Sequence, residues 1–167
     1  MSVPFVHLQS NVVRDVPEYI PEDLRRKARP ETHLESSEIR LLIIEDQPSD
    51  VALACEMLEE SMPDYSWDVV SVARMDDAIT LLASSRFDLA LVDLSLGDTE
   101  GTQIIDVLCM AVPSLPLVVY TGSSNDMILA ETLRCGAASY IQKSSMTPQT
   151  MRAVLLSALC KMSNDKL

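Results

Sequence analysis

Leu89-Ala90-Leu91-Val92-Asp93 is the stretch on which the fold turns: four apolar residues running without a break into one carboxylate. A short continuous apolar run predicts a strand covered on both faces, as in a parallel sheet with helices packed above and below it. Asp93 then stands where the strand ends, and Gly97 and Gly101 follow in the loop. Ligands of open parallel sheets bind at the carboxyl ends of the strands, which makes Asp93 a candidate site residue. Taken alone, it is equally a strand-end turn acid. What tips the balance is repetition. Leu41-Leu42-Ile43-Ile44 runs into Glu45-Asp46, Leu117-Val118-Val119-Tyr120 runs into Thr121-Gly122, and a shorter strand carries Tyr140 and ends in Lys143.

On either side of these runs, strands and helices alternate. Strands are expected at residues 39–44, 67–72, 89–93, 117–120 and 138–142, and helices at 48–62, 78–84, 100–111, 125–135 and 147–162. Pro48 and the pair Thr147-Pro148 are helix-start signals, and Gly136 is a helix-stop signal. The pattern predicts an α/β fold: a five-stranded parallel sheet, doubly wound and flavodoxin-like, strand order 2-1-3-4-5, with helices on both faces. In that order strands one, three, four and five are neighbours. Glu45, Asp46, Asp93, Thr121 and Lys143 therefore converge on one edge.

The chain has 167 residues, a formal net charge of −12 and 47% hydrophobic residues. That is enough for one domain with a sizeable core and an added segment. The acid excess argues against a nucleic-acid partner, whose footprint would be basic. It fits a solvated acidic surface or a carboxylate-lined site that takes a cation. Residues 1–37 differ from the rest, with Pro4, Pro17, Pro21 and Pro30, a basic stretch Leu24-Arg25-Arg26-Lys27-Ala28-Arg29 and no sustained period. They read as an N-terminal extension, either a flexible arm or a partner-binding segment. A domain over 38–163 and a tail at 164–167 follow. Cys55, Cys109, Cys135 and Cys160 are widely spaced, form no CxxC pair and are expected to be buried free thiols. No secretion signal opens the chain, and no apolar run approaches the roughly 20 residues that span a bilayer. The expected location is the cytoplasm, without membrane insertion.

Electrostatics narrows the chemistry of the shared edge. Two like charges about 4 Å apart repel by roughly 4 kcal/mol at an effective dielectric of about 20. Three clustered carboxylates therefore hold either a proton or a cation. All-oxygen ligands with open water positions suit Mg²⁺, which bridges readily to phosphate. A carboxylate beside such an ion can act as a nucleophile toward phosphorus. The Lys143 ammonium and Thr121 hydroxyl would neutralise and hydrogen-bond the new phosphoryl oxygens.

In these residues the chain resembles the receiver domain of bacterial two-component response regulators, from about residue 38 to 163. The resemblance rests on Glu45-Asp46 after the first strand, Asp93 with Gly101 beyond it, Thr121 after the fourth strand, and Gly136-Ala137-Ala138-Ser139-Tyr140-Ile141-Gln142-Lys143. It implies that Asp93 is the phosphoacceptor. Asp46, Asp93 and the backbone carbonyl of Ser95 would bind Mg²⁺, with Glu45 acting through water. Thr121 would bond the phosphoryl group, Gly122 would leave room for it, Tyr140 would turn inward as a switch, and Lys143 would pair with the phosphate. Taken singly, Tyr140 reads as a core aromatic, Thr121 as a strand-end turn residue and Lys143 as a surface lysine.

The family usually has proline where Gly97 and Ser144 stand. Gly97 is expected to loosen the loop after Asp93, and Lys143 must be placed by other contacts. Ser95 and Ser123 offer no carboxylate or amide to hold an attacking water, which implies a long-lived aspartyl phosphate. The implied partners are a histidine kinase or histidine phosphotransfer protein and a downstream protein target. The chain would signal by phosphorylation-dependent binding without an output domain. Its only catalysis would be Mg²⁺-dependent self-phosphorylation from a donor and slow autodephosphorylation. A homodimer could form through the fourth helix, fifth strand and fifth helix, where Met127, Met146, Met151 and Met162 either supply adaptable contacts or fill the core. The competing reading is a receiver-like adaptor that works without phosphorylation. An aspartate-based phosphatase is disfavoured because Glu45-Asp46-Gln47-Pro48 lacks that class's Asp-x-Asp signature.

Overall fold

The apolar runs become the centre of a sheet. The computed structural model describes residues 5–7, 38–97, 99–123 and 125–164. Its elements in chain order are β1 (Phe5–His7), β2 (Ile39–Ile44), α1 (Pro48–Ser61), β3 (Trp67–Val72), α2 (Met75–Ser84) and β4 (Leu89–Val92). They continue with β5 (Ser95–Leu96), β6 (Thr99–Glu100), α3 (Gln103–Ala111), β7 (Leu117–Thr121), α4 (Asp126–Arg134), β8 (Ser139–Gln142) and α5 (Pro148–Asn164). A short 3-10 turn, Lys143–Ser145, joins the last two. Pro48 opens α1, where its missing N–H costs nothing. The Thr147 hydroxyl accepts the Thr150 N–H at 3.2 Å, capping the start of α5.

The main sheet has the order β1-β3-β2-β4-β7-β8. β3, β2, β4, β7 and β8 are mutually parallel, which is the doubly wound order expected from the sequence. At one edge, β1 adds antiparallel to β3, with Phe5 opposite Val70 and His7 opposite Asp68. No sequence pattern marks this sixth strand, because three residues are too few to show a period. The rest of the extension and the last three residues of the tail lie outside the described residues.

Alternation along each strand feeds two cores. Leu42, Ile44, Ala90, Val92 and Val119 face α2 and α3, meeting Ala78, Ile104, Ile105 and Leu108. Leu41, Ile43, Leu89, Leu91, Val118 and Tyr120 face α1 and α5, meeting Ala54, Leu58, Met151 and Leu155. Continuous apolar runs are needed because both sides of each strand are covered.

Two expectations are corrected, and one alternative left open is resolved. The loop after Asp93 is pinned: β5 pairs with β6, Leu96 is buried, and the Gly101 N–H donates to the Leu94 carbonyl at 2.8 Å. Pairing and a buried leucine outweigh the freedom that Gly97 brings. Cys160 is exposed, while Cys55, Cys109 and Cys135 are half-buried. Of the methionines, Met127 is exposed on α4 but Met151 is fully buried under the sheet. Met146 is half-buried, and the Met162 side chain lies outside the description.

Candidate functional site

Register builds the site. β2 and β4 pair with Ile44 opposite Val92, so Glu45 and Asp93, each one residue further on, emerge side by side. The Asp93 N–H donates to the Ile44 carbonyl at 2.9 Å, which fixes that alignment. Both acids are buried, Glu45 at 3% and Asp93 at 5% exposure. β7 delivers the buried Thr121 on the other side of β4. Lys143 follows directly after β8 and reaches back over the strand ends.

Its ammonium gathers the acids. Lys143 Nζ donates to Glu45 Oε2 at 2.5 Å, Asp50 Oδ2 at 2.6 Å and Asp93 Oδ2 at 2.8 Å. An ammonium has three donors, and all three are used. The Tyr120 ring lies beneath it, with Nζ 5.0 Å from the centroid, within cation–π range. The second oxygens are also held. Glu45 Oε1 accepts the Gln47 N–H at 2.9 Å, and Asp93 Oδ1 accepts the Ser95 N–H at 3.2 Å. Thr121 Oγ1 accepts the Ser123 N–H at 3.2 Å.

Burial and charge oppose each other here. Burial lifts the Glu45 carboxyl above the usual carboxylate range, against the hydrogen bonds from Lys143 and Gln47 that pull it down. Burial works against charge on Lys143, but the hydrogen bonds to Asp50, Asp93 and Glu45 outweigh it and hold its pKa above the usual lysine value. Burial pushes the Tyr120 phenol up to about 12, despite the neighbouring ammonium.

The remaining candidates stand around this cluster. Asp46 is half-buried beside the loop after β4, its Oδ2 3.6 Å from where a Cβ on Gly97 would lie. Ser95 is exposed at the start of that loop. Gly122 is exposed, and a Cβ there would meet nothing within 4 Å, so space is open beside Thr121. Tyr140 on β8 is 37% exposed. It is not among the groups gathered on Lys143.

The residues fit a hard cation in type. Glu45, Asp46, Asp93 and the Ser95 carbonyl are all oxygen donors, the set that suits Mg²⁺ or Ca²⁺. Among the described residues no three acids, histidines or cysteines form a ready metal cage. Glu45 and Asp93 are instead drawn onto the Lys143 ammonium.

Two contributors were missed in the sequence. Asp50 lies in the first turn of α1, where an acid reads as a partner for the helix dipole. Asp46 precedes the helix, which begins at Pro48, so no helical spacing ties Asp50 to the strand-end acids and no local pattern marked it. Tyr120 was read as one more apolar strand residue. Its hydroxyl donates to the Asp50 carbonyl at 3.3 Å.

A family model described as the response regulator receiver domain matches residues 41–155. The swarming motility regulation protein RssB of Serratia marcescens is 28% identical over 116 residues, covering 70% of this chain and 51% of RssB. The chain spans about half or less of the length of the first curated relatives it matches. A CheY-like receiver domain protein from Methanospirillum hungatei superposes with a TM-score of 0.65 at 23% identity, over 77% of this chain and 99% of that one. A response regulator from Burkholderia pseudomallei, solved with a phosphorylated aspartic acid, calcium ion and citrate, gives 0.61 at 23% identity, over 77% and 73%. At such identity these two likenesses speak to the fold alone. The family match covers most of the chain, and the chain belongs to the response regulator receiver domain family.

Proposed function

We propose that Asp93 accepts a phosphoryl group from a phosphohistidine on a histidine kinase or histidine phosphotransfer protein, and that the modified chain signals by binding a downstream protein. The observation that carries this reading is the Lys143 ammonium 2.8 Å from a buried carboxylate at the carboxyl end of the central strand. A carboxylate oxygen of Asp93 attacks phosphorus, the bond from phosphorus to the imidazole nitrogen breaks, and its electron pair stays on the histidine. Lys143 exchanges an Asp93 oxygen for a phosphoryl oxygen and neutralises it. Thr121 donates its hydroxyl to another, and Gly122 leaves the space. Asp46, Asp93 and the Ser95 carbonyl would hold Mg²⁺, with Glu45 acting through water. Bound there, the ion supplies charge neutralisation to the transferring group.

Tyr140, exposed in this state, is the switch that turns inward toward the modified end of the sheet. α4, β8 and α5 form the responding face, with Met127 exposed on it for a partner or a second copy. The location that goes with this function is the cytoplasm; no helix among the described residues is long and apolar enough to cross a membrane. Ser95 and Ser123 supply no carboxylate or amide to orient water, so the aspartyl phosphate persists for minutes to hours; decay within seconds in Mg²⁺ contradicts this.

Incubation with acetyl phosphate and Mg²⁺, followed by intact-mass measurement, tests the reading. One phosphoryl group is expected on the wild type and none on Asp93→Ala. An unmodified wild type contradicts the reading and favours an adaptor that works without phosphate.

A further inference from the structure

We infer that Asp50, braced by Tyr120, is a positioning residue that holds the Lys143 ammonium in place while its other two partners change. The inference rests on Asp93 being the phosphoacceptor. Lys143 has three donors and three acceptors, Glu45, Asp50 and Asp93. The function proposed above engages two of these elsewhere: Glu45 faces the cation site, and one oxygen of Asp93 becomes the ester oxygen of the acyl phosphate. Asp50 alone has no second task. It comes from a helix rather than a strand end, and its side chain is 30% exposed.

Asp50 is itself fixed. Its N–H donates to the Gln47 carbonyl at 3.0 Å, and its carbonyl accepts the hydroxyl of the fully buried Tyr120 at 3.3 Å. The same Tyr120 ring lies under the ammonium. One side chain thus ties the backbone of the anchor to the cation that the anchor holds. A first-turn acid that only serves the helix dipole needs neither contact. That simpler role affects α1 alone, whereas positioning acts through Lys143, and the two make different predictions.

Five proteins separate them: wild type, Asp50→Asn, Asp50→Glu, Lys143→Gln and the double variant Asp50→Asn with Lys143→Gln. The phosphorylation rate from acetyl phosphate is measured at saturating Mg²⁺. Asp50→Asn is expected to slow it about tenfold, within the usual range for coupled neighbours. In the Lys143→Gln background the same change is expected to alter it less than twofold. Asp50→Glu should recover part of the rate. Equal slowing in both backgrounds, or no slowing, overturns the inference. A second readout uses the metal-free, unphosphorylated protein: the ¹⁵N-detected ammonium signal of Lys143. It is expected to be sharp in the wild type and lost to proton exchange in Asp50→Asn. An unchanged signal in Asp50→Asn overturns the inference. If the wild type takes up no phosphate, the functional reading fails, and this signal alone decides for or against Asp50.

Discussion

At the carboxyl ends of the parallel strands, one ammonium faces three carboxylates; at the amino ends, one guanidinium sits in a matched set of partners. Arg40 Nε pairs with Asp68 Oδ2 at 2.8 Å, its Nη1 donates to the Arg86 carbonyl at 2.9 Å, and it stacks 5.0 Å from the Phe87 ring centroid. Its backbone N–H donates to Asp88 at 2.9 Å. The Arg40 side chain is 39% exposed, so water shares the work. Lys143, by contrast, is 13% exposed and outnumbered. A matched set holds strands together. An excess of negative charge gains from a cation, and that asymmetry is what favours the carboxyl end of the sheet as the proposed phosphoacceptor site.

The largest effect expected from this contrast is on phosphorylation. Asp93→Asn should abolish phosphate uptake from acetyl phosphate, while Arg40→Met should change the rate less than twofold by intact-mass time courses. Asp93→Asn should leave the urea midpoint no lower than wild type, since it removes one of three competing acids. Lys143→Met should destabilise at pH 7 by about 3–5 kcal/mol, the usual cost of leaving buried charge uncompensated. Millimolar Mg²⁺ should recover much of that loss in the same urea titration. Arg40→Met should cost about 1–3 kcal/mol, because among the described residues Asp68 Oδ1 has no hydrogen-bond partner and Oδ2 would lose its own. Magnesium should not change that figure.

The smallest effect concerns Tyr120. Its phenol ionises at about 12 because burial disfavours the charged form. The stability it gains by staying neutral is complete below its unfolded value of about 10, and is lost as pH rises through the folded value. A spectrophotometric titration, wild type minus Tyr120→Phe, should show its step near the higher value; a step at the ordinary phenol pKa contradicts burial as the cause.

Much of this contrast could be read from sequence on one side only. The runs ending at Ile44, Val92 and Tyr120 are apolar on both faces because helices cover both, and residues just past such runs lie at a common edge. That places Glu45, Asp93 and Thr121 together without coordinates. Asp50 resisted the same reasoning: a helix's first-turn acid owes its position to the crossover that lays α1 over the sheet, a long-range fact. Met127 and Met151 show the same limit, since helical period gives a face but not what covers it. Phe5–His7 is too short for any pattern, and the Arg40–Asp68 pair depends on strand register.

Fluorine NMR of the protein with beryllofluoride, a phosphoryl mimic that bonds to carboxylate oxygen, tests whether the acid-rich end accepts phosphorus at Asp93. Bound fluoride resonances are expected for the wild type with Mg²⁺, and for neither metal-free wild type nor Asp93→Asn. Their persistence in Asp93→Asn, or their absence from the wild type at millimolar Mg²⁺, would contradict it.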